Sequence, residues 1–102
     1  MTGAGFRTLA LSLAGTEEAP HFKRTAFRVR RNYATTPADG ASANLLLTLD
    51  EQAHYAGLCP AVRPVANKWG DRGWTVVDLR SAPDDLIEAA LRAAWRNGGG
   101  RD

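Results

Sequence analysis

The densest group of chemically capable side chains is a run of cations with no acid between them. Its members are Lys23, Arg24, Arg28, Arg30 and Arg31. Guanidinium groups match the geometry of phosphate oxygens, and clustered cations release the counterions of a nucleic acid. The run therefore predicts a surface that binds DNA phosphates weakly and without reading base sequence. The alternative is a solvated sheet face with scattered arginines, because no recognition helix or RNA-binding aromatic motif accompanies the run.

A second candidate surface surrounds two of the three tryptophans, Trp69 and Trp74. Two glycines between them allow a tight turn with positive φ. The main prediction is a corner that packs into the core, since a tryptophan buries a large area. The alternative is that Trp69 or Trp74, together with Arg72, is exposed and stacks on a base or a peptide. A small-molecule site near these rings and Tyr33 is a third hypothesis.

The remaining reactive residues are few and scattered. Glu17, Glu18 and His21 could bind a metal or share a proton, but a metal site needs more ligands. We expect them to serve as caps and surface hydrogen-bonding groups. Cys59 is the only cysteine, so it cannot form an internal disulfide, and it would be a nucleophile only beside a base. With no phosphate-binding glycine loop or serine nucleophile elbow, we expect a protein that is not an enzyme and uses no metal or cofactor.

Length and composition bound the possible classes of function. The chain has 102 residues, enough for one domain, with 44% hydrophobic and 24% charged residues. A net charge of +2 is mildly basic, so a role with nucleic acid depends on where the cations lie. One cysteine and no leader-like or bilayer-length apolar segment favour a cytoplasmic protein that does not bind membranes.

Hydrophobic periodicity predicts eight elements that must position these residues. They are a helix between Thr2 and Gly15, strands at 25–29, 33–36 and 43–48, a helix from Thr48 to Gly57, strands at 62–66 and 74–79, and a helix from Ser81 to Asn97. Residues 15–22 are predicted to form a loop or a single helical turn. Pro64 indicates that the fourth strand lies at an edge or is bulged there. Arg28 and Arg30 should then share the outer face of one strand, about 7 Å apart.

The order of elements predicts an α+β fold with two layers. We expect α-β-β-β-α-β-β-α, a mostly antiparallel five-stranded sheet with helices on one face. On the last strand, Thr75 and Val77 should face one side, and Trp74 and Val76 the other. Residues 1–97 would form the domain, and 98–102 a flexible tail.

The order of several short motifs resembles the MmcQ/YjbR-like family. The motifs are Gly15-Thr16-Glu17-Glu18, Pro20-His21-Phe22, the arginines that follow, and Trp69-Gly70 with Gly73-Trp74. The resemblance covers Phe6 to about Trp95 and implies a fold like those of bacterial frataxin and type III secretion chaperones. Family members are usually described as DNA-binding proteins, although their activity is not established. Frataxin-like iron binding would require an acidic first helix, and this first helix has no carboxylate.

Two classes of partner follow from these observations. One is DNA, held by the basic run. The other is a protein or peptide on an exposed sheet face or edge strand, as the chaperone-like fold implies. In either case we expect a monomer or a weak homodimer.

Overall fold

Three helices cover one face of a six-stranded antiparallel sheet in the computed structural model, which describes residues 1–102. The helices are α1 (Gly3–Ser12), α2 (Leu49–Leu58) and α3 (Asp84–Asn97). The strands are β1 (Glu17–His21), β2 (Arg24–Arg28), β3 (Asn32–Pro37), β4 (Ser42–Leu46), β5 (Val62–Pro64) and β6 (Trp74–Asp78), and a short 3₁₀ helix (Gly70–Arg72) precedes β6. The longest helix has 14 residues, and none is apolar and long enough to span a bilayer.

The strand order in the sheet is β1-β2-β3-β4-β6-β5. The predicted α+β class and antiparallel pairing are confirmed, and the predicted number of strands is one too low. The missed strand is β1, which lies at an edge and is mostly exposed, so it lacks the apolar alternation that marks a strand. The two edge strands, β1 and β5, each contain a proline, Pro20 and Pro64 respectively. An edge strand tolerates the missing N–H of proline.

The core fills the space between the inner face of the sheet and the helices. The sheet contributes Phe27, Ala34, Leu45 and Val77, and the helices contribute Phe6, Ala10, Ile87, Leu91 and Trp95. Trp95 is 1% exposed, and its indole Nε1 donates a hydrogen bond to the carbonyl oxygen of Ala14 at 2.9 Å. The apolar stripe of α3 therefore supplies the largest buried side chain of the protein.

The prediction that the corner from Trp69 to Trp74 packs into the core is wrong. Trp69 is 46% exposed, and Trp74 is half-buried. The predicted alternation along β6 is confirmed, because Thr75 and Val77 are fully buried. That alternation turns Trp74 to the outer face of the sheet, which no helix covers.

Helix α2 begins as predicted but packs differently. The capping box of Thr48 and Glu51 is present. Leu49 is 57% exposed although it is apolar, whereas the polar Gln52 is buried. The Gln52 Nε2 group lies 3.0–3.1 Å from the carbonyl oxygens of Gly70 and Trp74 and from a threonine hydroxyl on β6. Gln52 thus ties α2 to the 3₁₀ helix.

The start of α3 differs from expectation, whereas the helix ends at Asn97 as predicted. The helix was predicted to begin at Ser81 but begins at Asp84, with Pro83 as its N-cap, and the Ser81 hydroxyl donates to Asp78 at 3.0 Å. Gly98 and Gly100, assigned to the flexible tail, are instead hydrogen bonded to the last turn of α3. A Cβ atom at Gly100 would lie 2.2 Å from Trp95, so this glycine packs directly on the indole. The packed domain therefore continues past residue 97.

Phe22 in the β1–β2 turn is strained and exposed. Its φ is +58°, and its side chain is 95% exposed. A left-handed backbone costs a residue with a Cβ atom about 1–2 kcal/mol, and glycine avoids most of this cost. Glycine loses more conformational entropy on folding, which offsets part of the gain. We therefore expect Phe22→Gly to raise the free energy of unfolding by about 0.5–1 kcal/mol. Urea denaturation checks this, with Lys23→Gly as a control that should not stabilise; a less stable Phe22→Gly variant would contradict it.

Candidate functional site

The cations of the protein are divided between paired arginines on helices and unpaired ones elsewhere. Arg7 pairs with Glu18, and Arg92 and Arg96 lie within 4.0 Å of Asp102. No ion pair involves any lysine or arginine from Lys23 to Arg80. These cations are Lys23, Arg24, Arg28, Arg30, Arg31, Arg63, Lys68, Arg72 and Arg80. The strands, turns and loops between α1 and α3 therefore carry most of the positive charge that has no carboxylate partner.

The five cations of the predicted basic run do not form one patch. Lys23 and Arg24 lie at the β1–β2 end of strand β2, whereas Arg28, Arg30 and Arg31 lie at its β2–β3 end. Strand rise separates Arg24 from Arg28 by roughly 13 Å. The strand ends at Arg28, so Arg30 belongs to the following turn, and the prediction that both project from one strand face is wrong.

The Arg24 side chain is hydrogen bonded to the neighbouring strand β3. Its Nε donates to the Thr35 hydroxyl at 2.9 Å, and its Nη2 donates to the Thr35 carbonyl oxygen at 3.1 Å. Burial lowers the pKa of Arg24 from its ordinary value, and the charge of Asp39 offsets part of that effect. A guanidinium held across β2 and β3 in this way has fewer donors left for a ligand.

The other three arginines, Arg28, Arg30 and Arg31, are exposed and stand on a fixed backbone; we call them the arginine turn. The backbone N–H groups of Arg30 and Arg31 both donate to the Gly98 carbonyl oxygen, at 2.9 and 3.2 Å. Arg31 Nε donates to the Asn97 carbonyl oxygen at 3.1 Å. The C-terminal end of α3 thus holds the turn, while most guanidinium donors remain free.

The arginine turn borders a groove at one end of the sheet. Arg31, Trp69, Arg72 and Trp74 line it, together with Leu46, Leu47, Thr48 and Asn97, and its volume is about 380 Å³. We call it the tryptophan groove. The predicted surface of Trp69, Trp74 and Arg72 therefore lies beside part of the predicted basic run. The Lys68 Nζ and the Arg72 Cζ lie 5.7 and 5.3 Å from the centre of the Trp69 ring.

The exposed Trp69 ring is attached to an immobilised backbone. Its N–H and carbonyl groups are both hydrogen bonded within the turn. Gly70 and Gly73 are buried, and Cβ atoms there would lie 2.0 Å from the Val65 oxygen and 1.9 Å from the Leu47 oxygen. Gly73 also has a φ of +103°, which favours glycine. The turn therefore presents the ring to solvent in a defined position.

Asn97 was predicted only as a helix end, yet it organises the floor of the tryptophan groove. Its Nδ2 donates to the Leu46 carbonyl oxygen at 3.0 Å and to Glu51 Oε1 at 2.8 Å. Burial acts to raise the pKa of Glu51, but hydrogen bonds from Thr48 and Asn97 outweigh it and hold that pKa below its ordinary value. No local sequence pattern could reveal this contact, because it joins three separate elements.

The other candidate residues are dispersed. Strand alternation places Glu17 and His21 on one face of β1 and Glu18 on the other, where the Arg7 hydrogen bond lowers the pKa of Glu18. No three His, Cys, Asp or Glu residues are grouped so as to hold a metal ion. Tyr33 is fully buried, so it takes no part in the groove. Cys59 is a half-buried free thiol at the end of α2.

Comparison with known proteins supports the fold and indicates no activity. No family model matches the sequence, and no curated protein matches it either. The crystal structure of the Deinococcus radiodurans protein DR2400, described as a DUF419 domain, is similar to this chain with a TM-score of 0.76 and 23% sequence identity. The match covers 91% of this chain and 75% of that one. At this identity the likeness shows a shared fold alone.

Proposed function

We propose that this protein is a non-enzymatic DNA-binding module that contacts phosphates through the arginine turn and Arg72. The observation that carries the proposal is the arginine turn itself. Three exposed guanidinium groups follow one another here, none has an ion pair, and Gly98 holds the backbone of Arg30 and Arg31 while Arg28 ends strand β2. Guanidinium donors left unpaired at one place suit the closely spaced oxygens of a phosphate backbone.

We also infer that the chain is an MmcQ/YjbR-like domain. The order of its motifs supports this assignment, and the DUF419 fold of DR2400 agrees with the α+β fold that the assignment implies. The inference adds weight to a role in DNA binding only by analogy, since folds host many functions. The physical case rests on the charges.

The distribution of charge determines the expected affinity for DNA and its dependence on salt. The arginine turn and Arg72 supply at most about four phosphate contacts, so the logarithm of affinity should fall with the logarithm of salt with a slope of about −3 to −4. Lys23 and Arg24 lie at the far end of β2 and should contribute little. Glu17, the cross-strand partner of Arg28, is the carboxylate nearest in register and weakens the local field.

Fluorescence anisotropy with random-sequence duplex DNA tests the proposal. We expect micromolar binding at low salt, a slope of about −3 to −4, and equal affinity for duplexes of unrelated sequence. The equality follows because phosphates carry no sequence information. Absence of binding at low salt, or binding that salt does not weaken, would contradict the proposal.

A protein- or peptide-binding module is the second candidate, and the open outer face of the sheet favours it. Leu46, Trp74 and Val76 are half-buried on that face, with no helix over them. An extended peptide could also add to the edge of β1 or β5. Gel filtration separates the candidates, because a dimer that persists at high salt would favour an apolar interface.

A further inference from the structure

We propose that the tryptophan groove takes an unpaired base of single-stranded nucleic acid, stacked on Trp69, with Arg31 and Arg72 on its adjoining phosphates. This inference rests on the proposed function and specifies its substrate class. It predicts that the protein prefers single strands to duplexes.

The exposure of Trp69 is the first observation. Four large apolar side chains are strongly exposed: Phe22, Leu49, Leu58 and Trp69. Trp69 lines a groove that also contains Arg31 and Arg72. Its backbone is immobilised by two buried glycines, so the ring is presented without the entropy cost of ordering a loop.

The chemistry of the groove defines the ligand. Trp69 offers a flat aromatic face, which stacks on any base. Arg31 and Arg72 offer two exposed cations without ion pairs on the same groove, so their guanidinium donors are free to bind an anion. A nucleotide unit combines a planar ring with an adjacent phosphate. The volume of about 380 Å³ is within the usual range for a small ligand site.

The strandedness of the ligand follows from access to the base. In a duplex, bases are stacked and paired, so a ring that protrudes from a groove cannot reach their faces without extruding one. A single strand offers base faces and phosphates together. Lys68 and Arg72 lie over the Trp69 ring in the free protein, but both are long and exposed. A base can therefore replace one of them while the displaced cation stays near the phosphate.

The test compares Trp69→Leu with Phe22→Leu, which removes the other exposed aromatic ring at the opposite end of the sheet. Each protein is titrated with a thymidine oligonucleotide and with a duplex of equal length, by anisotropy and by tryptophan fluorescence. We expect the wild-type protein to bind the single strand about tenfold more tightly than the duplex, with quenching of its fluorescence. Trp69→Leu should abolish the preference and the quenching, Trp69→Phe should restore part of the affinity, and Phe22→Leu should change neither.

The outcomes separate this inference from the proposed function. If Trp69→Leu is folded by circular dichroism and binds both DNAs as the wild type does, stacking in the groove is refuted and phosphate binding stands. If the wild-type protein binds neither DNA, both proposals fail. Quenching by an acidic tyrosine-containing peptide, without quenching by the oligonucleotide, would overturn the inference in favour of a peptide site.

Discussion

Replacing Trp95 by alanine is expected to lower the free energy of unfolding by about 3–5 kcal/mol, the usual cost of truncating a large buried aromatic residue. Trp95 is 1% exposed, and Gly100 packs directly against its ring. Its indole also donates to the Ala14 carbonyl oxygen at 2.9 Å, so truncation removes that partner as well. Since small domains are stable by only about 5–15 kcal/mol, the variant should lose much of its margin.

Urea denaturation of Trp95→Ala and Trp69→Ala tests this prediction. The two substitutions remove the same atoms, but Trp69 is 46% exposed. Trp69→Ala should therefore lower the free energy of unfolding by about 1 kcal/mol or less. Equal losses from the two variants would contradict the assignment of Trp95 to the core and of Trp69 to the surface. Trp95→Phe should lie between them, because it keeps a ring but loses the hydrogen bond to Ala14.

The combined replacement of Arg28, Arg30 and Arg31 by alanine is expected to weaken DNA binding at low salt by at least about tenfold and to flatten the salt slope by about 3. The loss should be equal for all sequences, because phosphates are contacted and bases are not read by these residues. Stability should change little, since the three side chains are exposed and only Arg31 makes a hydrogen bond to another element.

A matched control removes three arginines from the helices: Arg7, Arg92 and Arg96. Both triple variants lower the net charge by the same amount, but the control arginines already have carboxylate partners. We expect the control to retain most of its affinity and its salt slope. If the control loses as much as the arginine-turn variant, binding depends on net charge alone and the assigned surface is wrong.

Local sequence patterns correctly predicted the features that depend on residues close together in the sequence. The capping box of Thr48 and Glu51 is formed, and alternation along β6 buries Thr75 and Val77 as expected. Strand β1 escaped prediction because an exposed edge strand needs no apolar alternation. These successes and this failure follow from how local the determining contacts are.

The candidate site was predicted only in part, because its residues meet through long-range pairing. Trp69 and Arg31 are distant in sequence and lie on one groove because β4 pairs with both β3 and β6. The same sheet geometry separates Lys23 from Arg31, although the sequence places them close together. Asn97 joins the groove through the packing of α3, which no sequence motif predicts.

The central claim is that the arginine turn and the tryptophan groove form one nucleic-acid interface. Backbone and indole NMR signals of isotope-labelled protein, followed during addition of a thymidine oligonucleotide at low salt, test it most directly. The predicted result is that shifts are confined to residues 28–32, 46–48, 69–74 and 97–99 and include the Trp69 indole, while the buried Trp95 indole is unchanged. Shifts centred on Phe22 and Lys23 or on the helical face, or no shifts at all, would contradict the claim.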